Sequence, residues 1–140
     1  MFARWTARIL GIVVAVLAIA GLFVEGEHLG GIADVDLALD LSRVVIAVAL
    51  LWVGFARVRR AALSTVLGLV GVVYLLMAII AMVDAELFGV LPTGFTGFDI
   101  GFHLVAGALA LVAALVPSRS SAPDTRDDRR APSGLPESRR

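Results

Sequence analysis

The chain has 140 residues, formal net charge zero, 59% hydrophobic residues, a mean hydropathy of +0.95 and no cysteine. The absence of thiols excludes disulfides, thiolate metal sites and cysteine nucleophiles. The apolar residues fall in blocks instead of at core-forming intervals, which is the pattern of a polytopic membrane protein.

Arg4 and Arg8 flank Trp5, and sixteen uncharged residues follow from Ile9 to Val24. A first span is expected over about 5–24. The stretch Ala18-Ile19-Ala20 also fits the cleavage pattern of a secretory signal peptide. The apolar run continues past it to Val24, however, and Trp5 between two arginines makes an interfacial anchor, so a retained helix is the preferred reading.

Residues 25–40 form a connector carrying Glu25, Glu27, His28, Asp34, Asp36 and Asp40, with Gly26, Gly30 and Gly31 loosening it. The second span is expected over about 38–56, with Arg43 near its start, Trp52 near its end and Arg57, Arg59 and Arg60 closing it. The third, 61–83, has twenty-three residues, enough to cross a hydrocarbon core of about 30 Å at about 1.5 Å per residue. Asp84 and Glu86 follow, and Leu91-Pro92-Thr93-Gly94 turns the chain into a fourth span over about 98–116. In that span Asp99 and His103 lie one turn apart, and further turns along the same face pass small residues, Gly107, Ala110 and Ala114.

Residues 117–140 change character, with six Arg, four acids and Leu135 as the one large aliphatic residue. They read as a disordered tail beyond a membrane domain of residues 1–116. Basic and acidic residues interleave there, so a solvated tail is preferred over one that binds lipid, and no nucleic-acid partner is expected.

Eleven of the twelve arginines lie in the N-terminus, the 57–60 connector and the tail, whereas the two other connectors and their helix starts hold eight acids and no arginine other than Arg43. The positive-inside rule then places both termini in the cytoplasm of a multi-pass protein of the cell (plasma) membrane. Asp40, Arg43, Asp99 and His103 all fall on the outer side.

Sliding the chain by 59 residues lays Val24-Glu25-x-Glu27-x-x-Gly30 on Val83-Asp84-x-Glu86-x-x-Gly89 and Asp40 on Asp99. A shift of 60 lays Arg43, Ala47, Leu50 and Gly54 on His103, Gly107, Ala110 and Ala114. The chain therefore reads as two repeated hairpins related by a pseudo-twofold axis along the membrane normal, with Arg43 and His103 approaching each other near that axis. The element Asp99-Ile100-Gly101-Phe102-His103-Leu104 with Gly107, and Asp40-Leu41-Ser42-Arg43 in the first half, resembles a family of mainly actinobacterial four-helix membrane proteins grouped under a domain of unknown function. The resemblance covers residues 5 to 116 and implies two similar hairpins without an assigned activity. Arg43 departs from its pattern, in which a histidine more often stands at that place.

The candidate polar cluster is Asp40, Arg43, Asp99 and His103. Asp40 and Arg43 are expected to pair at i, i+3, with Arg43 snorkelling to the outer interface and, in a second reading, binding an anionic headgroup or substrate carboxylate. Asp99 and His103 fit a proton-handling pair, but Asp99 capping the fourth helix and His103 bonding between helices is preferred. His28, His103, Asp99 and a connector acid lack metal-ligand spacing, so no metal and no cofactor is expected. Ser42, Ser64 and Thr65 stand in no nucleophile motif, so no catalytic residue is assigned.

The expectation is thus an all-α integral membrane four-helix bundle made of two repeated transmembrane hairpins, of unassigned activity and more in keeping with a non-enzymatic role. Its outer-leaflet cluster packs helices and offers a place for a lipid or partner. The alternative is a small proton-coupled transporter using His103 and Asp99, functioning as a homo-oligomer because four short helices enclose little volume.

Overall fold

A computed structural model of the chain describes residues 1–23, 37–90 and 94–117. His28 and the other polar residues of the first connector as far as Asp36, Leu91 to Thr93 of the second turn, and the tail from residue 118 lie outside the described residues. Among the described residues the regular structure is all helical: α1 (Phe2–Leu22), α2 (Leu37–Phe55), α3 (Arg60–Ala81) and α4 (Gly97–Leu115). Among the described residues α1, α3 and α4 are long and apolar enough to cross a membrane.

Away from their charged ends the helices are apolar on all sides, so helical periodicity appears in side-chain size and contact instead of polarity. In α1 the residues Ala3, Ala7, Leu10, Val14 and Ala18 recur at helical spacing and are buried, whereas Ile9, Ile12, Val16 and Ile19 of the same helix are exposed. α1 packs along α2 and α3 along α4, and contacts between these two pairs are sparser.

Inside each pair, glycine sets the distance of approach. A Cβ on Gly11 would stand 3.1 Å from the backbone nitrogen of Leu51, and one on Gly71 would stand 2.8 Å from that of Leu111 and 2.9 Å from the Gly107 carbonyl oxygen. Sixty residues separate Gly11 from Gly71 and Leu51 from Leu111. The same spacing relates the buried positions Ala3, Ala7, Leu10, Gly11, Val14, Ala18 and Gly21 of α1 to Leu63, Leu67, Val70, Gly71, Tyr74, Ala78 and Ala81 of α3, every one of them buried.

The charges separate along the helix axes. Arg4, Arg8, Arg57, Arg59 and Arg60 lie at one end, where α1 and α3 begin and α2 finishes. Asp40, Arg43, Asp84, Glu86 and Asp99 lie at the other. At this carboxylate end the Asp84 side chain accepts from the backbone N–H groups of Glu86 and Phe88, which holds Leu87 and Phe88 in the left-handed region. The Phe95 N–H then donates to the Ala85 carbonyl at 2.9 Å and sets where α4 begins.

Candidate functional site

The site is assembled from the first two turns of α2 and α4, where ionisable side chains enter otherwise apolar segments. Thr96 is the N-cap of α4: its hydroxyl accepts from the Asp99 N–H at 3.2 Å and donates to Asp99 Oδ2 at 2.6 Å. Asp99 Oδ2 also accepts from the Thr96 N–H at 3.2 Å, completing a capping box. One oxygen of Asp99 is thereby fixed, which aims Oδ1 across the assembly toward α2.

There Oδ1 meets Arg43. The guanidinium donates through Nη1 to Asp40 Oδ1 at 2.8 Å and through Nη2 to Asp99 Oδ1 at 3.0 Å. Asp40 and Asp99 are 2% and 1% exposed and Arg43 5%, so the three charges are buried together. Charges placed in an apolar interior need both pairing and hydrogen bonding to be tolerated. One arginine between two carboxylates satisfies both and also ties α2 to α4.

Asp40 occupies space left by a glycine on α1. A Cβ on Gly21 would overlap both carboxylate oxygens of Asp40. The other half has Ala81 at the matching position, packed with Leu39 and Phe95 in a small apolar cluster. The two carboxylates therefore have different neighbours. Asp40 lies against α1, its own hairpin partner, while Asp99 reaches into the other hairpin.

A difference in register accounts for this. At a shift of 60, which relates the buried faces, Asp40 corresponds to Ile100, and Asp99 stands one residue earlier. One residue is about 100° around a helix of about 3.6 residues per turn. That rotation turns the second carboxylate away from its own hairpin and toward Arg43.

His103 is 2% exposed. Its Nδ1 lies 2.7 Å from the Asp99 carbonyl oxygen; because a carbonyl only accepts, Nδ1 carries the hydrogen and donates. The ring is enclosed by Tyr74, Phe95 and Phe102, at centroid separations of 4.6, 4.8 and 5.8 Å. The imidazole thus packs as an aromatic ring and bonds within its own helix.

All four residues singled out from the sequence come to one end of the assembly, in an arrangement that differs from expectation. Arg43 does not extend to the surface; it turns inward to two carboxylates. Its partner across the hairpins is Asp99, and the His103 ring hydrogen-bonds the Asp99 carbonyl instead of the carboxylate or another helix. Thr96, Gly21, Tyr74 and Phe95 complete the site. Of these, Thr96 had a readable signal in its three-residue spacing to Asp99, which is that of a capping box.

Among the described residues no group of three or more His, Cys, Asp or Glu stands close enough to hold a metal ion. The cluster's chemistry is that of buried ion pairing and hydrogen bonding. No family model matches the chain, and no curated protein or solved structure matches it either.

Proposed function

We propose that the chain is a multi-pass integral membrane protein of the plasma membrane, a four-helix bundle of two repeated hairpins with both termini cytoplasmic. In this reading the Asp40–Arg43–Asp99 cluster latches the hairpins together at the outer leaflet, in a non-enzymatic role that also offers a place for a lipid or partner. The observation that carries it is the Arg43 guanidinium bonded at once to a carboxylate of its own hairpin and to one of the other.

Three further observations support it. Large aliphatic side chains face outward along every helix, with Val16, Val48, Leu69 and Val105 exposed, as suits contact with lipid. The buried positions of α1 recur in α3 sixty residues on, which supports the repeat and with it the resemblance to four-helix proteins built of two hairpins. Below the cluster, Leu10, Leu50, Val53, Leu67 and Val70 fill the interior with apolar contact. That packing favours the latch over the proton-coupled transporter built on His103 and Asp99, because proton or solute movement needs polar groups or water along a path.

The test is native mass spectrometry and thermal unfolding of the detergent-purified full chain, comparing wild type with Arg43→Ala and His103→Ala. The latch reading expects Arg43→Ala to unfold at a clearly lower temperature. Unchanged stability in that variant contradicts it. A pH-dependent uptake into proteoliposomes that His103→Ala abolishes would favour the transporter.

A further inference from the structure

The arginine end carries a second arrangement that the latch does not use. Arg4 donates to the carbonyls of Ala56 at 3.0 Å and Val58 at 3.1 Å, Arg8 donates through Nε to Gly54 at 2.8 Å, and Arg60 donates to the Val116 carbonyl. These three guanidinium groups close the carbonyl ends of α2 and α4, where backbone acceptors lose their helical partners. Arg57 and Arg59 are exposed, and among the described residues neither guanidinium makes a hydrogen bond or ion pair.

No described acidic residue lies at this end, since Asp40, Asp84, Glu86 and Asp99 all stand at the other. Among the described residues five positive charges therefore gather at this end without a countercharge, and Arg57 and Arg59 face outward. The N-terminus of α3 adds the positive end of its dipole, as Arg59 at the N-cap makes no side-chain cap and the first turn holds no acid.

Aromatic side chains mark the depth of this patch. Trp5 and Trp52 are 57% and 60% exposed, and Arg8 sits 5.3 Å from the Trp5 ring centroid and 4.8 Å from that of Phe55. Exposed tryptophan beside arginine is the composition of a segment at headgroup level, with rings toward the acyl chains and charge toward the phosphates.

We infer that this end binds anionic phospholipid selectively, with Arg57 and Arg59 engaging the headgroup phosphate and Trp5, Trp52 and Phe55 packing on its glycerol and upper acyl region. The inference rests on the membrane reading above and goes beyond it. It commits to a lipid and to a place opposite the latch. Charge complementarity decides the ligand class, because unpaired arginines at an apolar boundary meet phosphate there and a zwitterionic headgroup offsets that phosphate with its own cation.

The two tryptophans of the chain both lie at this end and report on it directly. The experiment reconstitutes the full chain in vesicles mixing ordinary phosphatidylcholine with brominated phosphatidylglycerol, or the reverse, and reads quenching of tryptophan fluorescence. The expected result is a relative association about fivefold in favour of phosphatidylglycerol, following the attraction of basic residues to anionic lipid. It falls to within about twofold of unity in Arg57→Gln/Arg59→Gln and is retained in Arg57→Lys/Arg59→Lys. Equal association of both lipids with the wild type overturns the inference. So does a preference that survives the glutamine variant, which would assign it to arginines elsewhere. If neither brominated lipid quenches, the membrane reading itself fails, and the two failures are told apart in one data set.

Discussion

Arg43 Nη2 stands 3.0 Å from Asp99 Oδ1 and joins two helices, α2 and α4, whose backbones do not pack against each other. Long side chains bridge such gaps at a cost in rotamer freedom, and Arg43 offsets that cost by meeting two carboxylates in a low-dielectric site. The hairpins are internally close-packed at glycines and more loosely joined to each other, so this pair lies where the assembly has least other support.

Gly21 is the silent partner of that pair. Gly21→Ala places a methyl where the Asp40 carboxylate lies, so Asp40 must swing away from Arg43. The expected loss is about 1–3 kcal/mol, in the range of overpacked sites. In an Asp40→Ala background the same substitution should cost much less, because the obstructing carboxylate is gone. Thermal unfolding of the four proteins in detergent checks this, and an equal cost in both backgrounds would place the effect elsewhere.

Glycines at the α3–α4 contact should behave unlike those on the outer face of α4. Gly71→Ala forces a methyl against the Leu111 nitrogen and the Gly107 carbonyl, backbone atoms that cannot rotate aside, and is expected to cost about 1–3 kcal/mol. Gly101→Ala meets nothing within 4 Å and removes a flexible residue from a helix interior, for a gain of up to about 1 kcal/mol. Unfolding midpoints of the two variants should therefore move in opposite directions.

His103 is held more by its ring than by its proton. His103→Phe preserves the contacts to Tyr74, Phe95 and Phe102 and loses one hydrogen bond to the Asp99 carbonyl, an expected cost of about 1 kcal/mol. His103→Ala removes the ring from its enclosure and should cost about 3–5 kcal/mol, as other aromatic truncations do. The stability order wild type, Phe, Ala is the prediction. A Phe variant as damaged as Ala would make the imidazole's polar chemistry the controlling property.

Helix placement was legible because charges interrupt the apolar blocks: Arg57 to Arg60 separate α2 from α3, and Asp84 with Glu86 closes α3. The members of the site were legible for a related reason, since Asp40, Arg43, Asp99 and His103 are conspicuous in apolar surroundings. Their pairing was not. Whether Arg43 turns inward depends on where α4 lies laterally, and sequence spacing within α2 carries no record of that. The choice of Asp99 over His103 follows from the one-residue offset between two nearly equal shifts, 59 and 60, which becomes a rotation only once the helices are packed. Gly21 gave no local sign of its role, because the group it accommodates is nineteen residues away on another helix.

Whether Arg43 and Asp99 hold the hairpins together is decided by a double-mutant cycle in thermal unfolding of the purified full chain. Arg43→Gln and Asp99→Asn each leave a buried charge with one partner fewer and are expected to cost about 3–5 kcal/mol, the range for breaking a buried pair. The double variant should then cost about 2 kcal/mol or more less than the sum of the two, the signature of residues in direct contact. Costs that add to within about 0.5 kcal/mol would show the two side chains to be energetically independent and would contradict the latch.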